Sequence, residues 1–250
     1  MVSVTIERLK KDSRQLGWFA DRYRKQGKTD RLRKVLIKKQ YLDDNITEIE
    51  ETLGKVAWGN IPMNIFVLDT DPVEAAQLQC DKHVVKMVLE SAQMLSTAHR
   101  LIDGTMYKAP SKSGKTMVKH WKHDDPGMEK LLYKAVHMGH PCTLWSMESD
   151  ANYNWHYKHF IALCDEYTYR YGKTHLTDTK LREALELTPY NIHKGPQTPF
   201  RLAMADFPEC HFQDPVVSYR AFYQTKQKRF SMVWSKRDIP SWFNSDLNVA

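Results

Sequence analysis

The chain has 250 residues, a formal net charge of +7 at pH 7 and 42% hydrophobic residues, with a pI near 9.1. That length holds one large domain, or a main domain with an appendage, and the basic balance suits a polyanionic partner, nucleic acid before membrane. No apolar run approaches the ~20 residues that span a bilayer, and the opening MVSVTIERLKKDSR lacks the apolar core of a signal peptide.

Residues 1–62 read as a basic helical N-terminal extension, rich in Lys and Arg and poor in apolar residues. Leu32, Val35, Leu36, Leu42, Ile46, Ile49 and Leu53 recur at helical spacing, and Gly54 and Asn60-Ile61-Pro62 punctuate the end. Residues 63–250 then form a helical main domain. Met63 to Asp69 (MNIFVLD) is apolar and β-prone, which predicts a short strand or a buried extended segment.

Asp71 to Arg100 reads as one long helix, opened by the N-cap and first-turn pair Asp71-Pro72. Gln79, His83, Lys86, Glu90, Gln93 and Thr97 fall on one narrow stripe, and apolar residues cover most of the remaining circumference. The stripe is either the wet edge of a core helix or the floor of a cleft. In a cleft, Lys86 and His83 would hold Glu90 ionised, or burial would raise its pKa into a catalytic range.

Asp103 to Lys119 carries Gly, Pro, Ser and Lys without periodicity and is expected to be an exposed loop. Its Lys108, Lys112, Lys115 and Lys119 suit phosphates. Its Ser113-Gly114-Lys115-Thr116 lacks the first glycine and the preceding strand of a phosphate-binding loop. Further helices are expected over Pro126–Met138, Thr143–Tyr171, Asp178–Leu187 and from Asp214-Pro215 to about Trp234. The last interleaves Arg220, Lys226, Lys228 and Arg229 with aromatic residues. Strands and helices do not alternate, so the fold class is mainly α, a compact helical domain with a helical N-terminal extension.

The 4 cysteines (Cys80, Cys142, Cys164, Cys210) are widely spaced without a C-x-x-C pair, which reads as reduced thiols of a cytoplasmic protein. The 11 histidines include pairs three residues apart, but no H-E-x-x-H arrangement. No metal and no cofactor are expected.

Asp81-x-His83 followed by Glu90 resembles the helix of the phage pyrimidine-dimer DNA glycosylases of the endonuclease V type. Met63-Asn64-Ile65 resembles that family's start. Gly139-His140, Leu144-Trp145 and a long helix ending at Arg170-Tyr171-Gly172 resemble its centre, and Pro240-Ser241-Trp242-Phe243 its close. The chain also resembles an uncharacterised group of phage proteins with the same D-x-H helix, an H-P-C-x-x-W element and a Tyr-Arg-x-x-Tyr helix. The resemblance covers Met63 to Phe243, with insertions.

The resemblance implies a compact glycosylase-like helical fold that binds duplex DNA and extrudes a nucleotide, because the sugar carbon is shielded in the stack. It implies a catalytic Glu90, with His83 and Lys86 tuning it or touching sugar and phosphate. Contacts to DNA are expected from Gln93, Lys108, Lys112, Lys115, His140, Arg220, Lys226 and Arg229. Asn64 matches the residue whose α-amine is the family's nucleophile, but here it is internal and its nitrogen is an amide, which cannot form a Schiff base. The family's arginines beside the Glu are replaced by Leu89 and Gln93.

Three possibilities stay open: translation from Met63, water activated by Glu90, or lost catalysis. The first reading is a DNA N-glycosylase, or a related base-processing hydrolase acting in base excision on a modified or damaged base. The second is a non-catalytic DNA-binding phage protein that keeps the fold without the chemistry. The expected partner is duplex DNA and not membrane, with a monomer the favoured state, in the cytoplasm of a host cell if phage-encoded.

Overall fold

The computed structural model describes residues 2–36, 38–39, 63–111 and 115–243. The chain divides into two compact units, Met1–Pro62 and Met63–Ala250. In the first, helix α1 (Val2–Lys25) is turned by Gly27 in the left-handed region, at φ +63°, and a second helical run follows over 29–36 (α2). Leu42, Ile46, Ile49 and Leu53, on which the helical reading also rested, lie outside the described residues.

In the second unit, Met63 to Leu68 is buried and does not pair as a strand, so the expected burial holds, while a left-handed turn at Phe66 (φ 54°), closed by the Leu68 N–H on the Phe66 carbonyl (2.8 Å), interrupts the expected extension. Helices α3 (Pro72–Gln77), α4 (Asp81–Ile102), α5 (Pro126–Leu131), α6 (Pro141–Glu148), α7 (Asp150–Tyr171), α8 (Leu176–Leu181) and α9 (Pro215–Gln224) follow. α7 packs against α3, α4 and α6, and α4 packs against α6. Four of these helices start with an acceptor side chain followed by proline: Asp71-Pro72, Asp125-Pro126, His140-Pro141 and Asp214-Pro215. The cap satisfies an orphan N–H, and proline at the first position removes another. Ser149 caps α7, and Gly172 ends it at φ +68°.

Several expected elements are shorter than the periodicity suggests. The helix expected over Asp71–Arg100 breaks at Leu78-Gln79-Cys80. The break is held from a distance: the Arg170 guanidinium donates to the carbonyls of Gln79 (2.8 Å) and Gln77 (2.9 Å), and also pairs with Asp81 and Glu166. These carbonyls therefore need no helical partner. The Thr143–Tyr171 span is likewise two helices, divided at Ser149. The expected helices at Pro126–Met138 and Asp178–Leu187 shrink to α5 and α8. The last stops at Gln224, and a 3₁₀ turn covers Thr225–Lys228.

The expected loop after Arg100 is instead a hairpin, β1 (Gly104–Pro110) and β2 (Met117–His123), paired antiparallel with Lys108 opposite Lys119. Arg100 anchors its base by donating to the carbonyls of Trp121 (2.9 Å) and Tyr133 (2.6 Å). Gly104 is required there, since a Cβ would lie 2.5 Å from the Arg100 carbonyl oxygen and 2.6 Å from that of Lys122. The structure is mainly helical with this two-stranded addition, and no helix among the described residues is long and apolar enough to cross a membrane.

Candidate functional site

The stripe predicted along α4 is not a solvent-lined row. Gln79 precedes the helix, and its amide donates to the Ile65 carbonyl (3.3 Å). Gln79, His83, Glu90 and Thr97 are buried, while Lys86 and Gln93 are half-buried. Two clefts of the second unit lie elsewhere, one of ≈ 790 Å³ beside α3 and α7 and one of ≈ 670 Å³ beside α5 and α8. Neither is lined by a residue of the stripe.

Lys86 and Glu90 sit one turn apart on α4, with the ammonium 2.9 Å from Oε1. Glu90 is 5% exposed, so this pair is shielded from water and interacts more strongly than a surface pair. Beside it lies the start of α6. The Cys142 thiol is 3.8 Å from both the Asn64 amide oxygen and the Tyr219 hydroxyl. Burial pushes this thiol up to about 12, and the nearby Glu90 charge adds to the rise. Asn64 is itself buried. Its side-chain amide donates to the Ala203 carbonyl (3.2 Å) and its oxygen accepts from the Phe66 N–H (3.0 Å). Asn64 and Cys142 thus meet where the buried segment reaches α6, and the Glu90 charge on α4 is felt at that thiol.

His83 does not act as a cation toward Glu90. Its ring lies between Phe66 (4.8 Å, stacked) and Phe230 (5.4 Å, edge-on), and its Nδ1 shares a 2.7 Å hydrogen bond with the Tyr223 hydroxyl. Burial depresses its pKa to about 3, helped by the positive charges of Lys86 and Lys226. A neutral buried imidazole cannot hold a carboxylate ionised, so that expected role is corrected.

Lys226 changes role as well. It was expected to meet phosphates, but it is 1% exposed. Its ammonium stands 3.5 Å from the centroid of Phe222 and 5.4 Å from that of Phe207. Burial, and then the charges of Arg229 and Lys86, pull its pKa down to about 7. A lysine that titrates near neutrality is a possible base or nucleophile. Sequence reasoning missed this because Lys226 looked like one more cation in a basic run.

Arg220 is also committed internally. It donates to the Leu68 carbonyl (2.8 Å), pairs with Asp69 (3.3 Å) and lies over Trp242. Arg229 is exposed. His140 caps α6 by accepting from the Cys142 N–H (3.2 Å), and burial lowers its pKa. Lys108, Lys115 and Lys119 are exposed on or beside the hairpin, and Lys112 lies outside the described residues.

The motif residues meet one another. Tyr223 accepts from the Cys80 N–H (2.8 Å) while bonding His83, and Tyr219 lies against Cys142. Asp81 receives Arg170 (2.8 Å) together with the Ser235 N–H (2.9 Å) and hydroxyl (2.6 Å). The D-x-H, H-P-C-x-x-W and Tyr-Arg-x-x-Tyr elements are therefore joints of the fold, and their charged members Asp81, Arg220 and Glu90 are each ion-paired, with Arg170, Asp69 and Lys86.

One group among the described residues has the composition of a metal site: His99, Asp103 and His123, with ligand-type atoms within 4.8 Å of one another. The Tyr153 hydroxyl donates to the Leu185 carbonyl (3.0 Å), so it accepts from the His99 Nε2–H (2.8 Å). Asp103 accepts the Tyr190 and Asn191 N–H groups. His123 Nδ1 accepts from the Asp125 N–H (3.0 Å), which puts that ring's proton on Nε2. A metal at Nε2 needs the other tautomer. The cluster as it stands is a hydrogen-bonded joint between α4, the hairpin and the loop at Tyr190.

No family model, curated protein or solved structure matches the chain.

Proposed function

We propose that the protein is a base-processing enzyme of duplex DNA, a DNA N-glycosylase in which Glu90 supports attack by water on the sugar carbon. What supports the reading is one convergence. Asn64 and Glu90 are the two positions that carry chemistry in the endonuclease V-type glycosylases this sequence resembles; Asn64 lies 3.8 Å from the Cys142 thiol, and the Glu90 charge acts on the same thiol. Asn64 offers no amine nucleophile, since its side chain is a bonded amide and its main-chain nitrogen is internal. Glu90, the carboxylate on the helix that carries the resemblance, is able to take a proton from water or to stabilise an oxocarbenium ion. The Lys86 ammonium beside it favours the carboxylate form.

The test is incubation of the 250-residue chain with phage and host duplex DNA, followed by mass spectrometry of released bases. Base release without strand cleavage and without a borohydride-trapped adduct is expected. Glu90→Gln should abolish release and leave DNA affinity within about twofold. Release by Glu90→Gln at the wild-type rate removes Glu90 from the chemistry.

A second reading is favoured by a separate observation: Glu90 is 5% exposed, and its carboxylate already receives Lys86. In this reading the protein binds duplex DNA without chemistry, and Lys86–Glu90 is a structural pair. Tight, salt-dependent DNA binding with no released base from any duplex is its signature.

A further inference from the structure

The hairpin packs against α4 and α5. A two-stranded ribbon is marginal by itself, and this one carries its charge in an unfavourable way. Lys108 lies directly opposite Lys119, where like charges on adjacent strands repel. Nothing on the ribbon relieves them, because no Asp or Glu occurs between Asp103 and Asp124. The same stretch holds Lys112, Lys115 and Lys122 as well.

Strand alternation puts Met106, Lys108, Met117, Lys119 and Trp121 on one face. Met106 is 45% and Met117 61% exposed. A cationic pair set among exposed thioethers, on an element rooted by Arg100, is a surface made for an anionic partner with apolar edges.

We propose that this face of the hairpin enters the major groove of duplex DNA, with the Lys108 and Lys119 ammonium groups on guanine O6/N7 acceptors and neighbouring phosphates. The proposal rests on the duplex-DNA reading above and deepens it by naming the element and the groove. Two strands about 4.8 Å apart fit a groove about 12 Å wide. Lysine pairs with guanine O6 and N7, and apolar side chains meet the thymine methyl. The repulsion between Lys108 and Lys119 is relieved when acceptors and phosphates surround both. DNA binding is then selected at the expense of hairpin stability.

The test uses the full 250-residue chain, a mixed-sequence duplex of about 25 base pairs, and the variants Lys108→Glu, Lys119→Glu and the double variant. Each single variant places opposite charges across the strands, so the hairpin is kept or strengthened, and thermal unfolding should not fall. The expected results are three. Each single variant weakens duplex binding by about tenfold, as loss of one base contact does. The salt slope falls by about one unit or more per lysine. Dimethyl sulfate protection of guanine N7, which lies in the major groove, is present with wild type and lost with the variants.

If wild type binds duplex DNA while guanine N7 stays reactive, or if the variants bind as tightly as wild type, the hairpin assignment is wrong and the enzymatic reading stands. Wild type that binds anionic vesicles but no duplex overturns both. Base release that persists in the Lys108→Glu/Lys119→Glu variant at unchanged KM also removes the hairpin from DNA binding.

Discussion

The Lys86 ammonium stands 2.9 Å from the Glu90 carboxylate, one turn back along the same helix. Glu90 is enclosed, whereas the Lys86 side chain keeps 23% of its surface. The cation therefore reaches partly to water while it compensates a buried anion. Lys86→Met takes that cation away from a buried anion and should lower stability by about 1–3 kcal/mol. The double variant Lys86→Met/Glu90→Met removes both charges and should recover most of the loss. Urea unfolding of wild type, Lys86→Met, Glu90→Met and the double variant measures the coupling, and strictly additive effects would show that the pair contributes nothing.

Arg170 offers a larger effect. Its buried guanidinium serves two carbonyls at the end of α3 and two carboxylates, Asp81 and Glu166. Arg170→Met should cost about 3–5 kcal/mol, since buried acceptors lose their donor. Arg170→Lys should recover less than half, because an ammonium cannot reproduce the planar fork. A lysine variant as stable as wild type in denaturant would contradict the role given to Arg170 in the break at Leu78–Cys80.

Acid should destabilise the protein early. Burial holds His83 at about 3 and His99, His159 and His175 at about 4, with His156 well below its ordinary value. Below the unfolded histidine pKa of 6.5, the unfolded chain takes up protons that the folded one refuses. Stability therefore falls as pH drops from about 6.5 toward 4, at up to about 1.4 kcal/mol per pH unit for each group. His159→Gln should make that decline shallower by one group's share. An unchanged slope would mean that His159 does not stay neutral in the fold.

Lys226 gives a second window of the same sign, on the alkaline side. Its folded pKa is about 7 against an ordinary value of 10.5, so between those values the unfolded chain binds the extra proton. Stability rises with pH across that interval, and the penalty is complete below about 7. Lys226→Met should therefore stabilise the protein most at pH 6, with a gain that shrinks toward pH 10. Each kcal/mol would appear as roughly 2–4 °C in Tm for a chain of this size. Loss of the contact with the Phe222 face offsets part of the gain, because a ring face favours the charged form. A variant less stable at pH 6 than at pH 10, relative to wild type, would show that Lys226 keeps its charge comfortably.

Helix starts were legible without the fold because capping is local. Asp71-Pro72 and Asp214-Pro215 name an acceptor and a residue without an N–H, and the backbone two or three residues on does the rest. Gly172 stops α7 for an equally local reason, its left-handed backbone. The mainly helical class followed from the same signals. The mixed polarity of Gly104 to His123 hid the hairpin, because a ribbon exposed on both faces does not alternate apolar with polar.

The break in the stripe and the fate of its residues depended on distant partners. The Arg170 that takes up the Gln79 carbonyl is 91 residues away, and the Tyr223 that holds the Cys80 N–H and His83 is more than a hundred. Helical spacing placed Lys86 beside Glu90, because residues four apart on a helix share a face. It could not foresee that Phe222 and Phe207 would draw Lys226 out of water, nor that Asn64 would meet Cys142 near Glu90. Whether a charged side chain faces solvent, an aromatic ring or a carboxylate is decided by what packs over it. Phe207, Arg170 and Tyr223 come from other elements than the residues they hold, and such neighbours are a property of the tertiary structure alone.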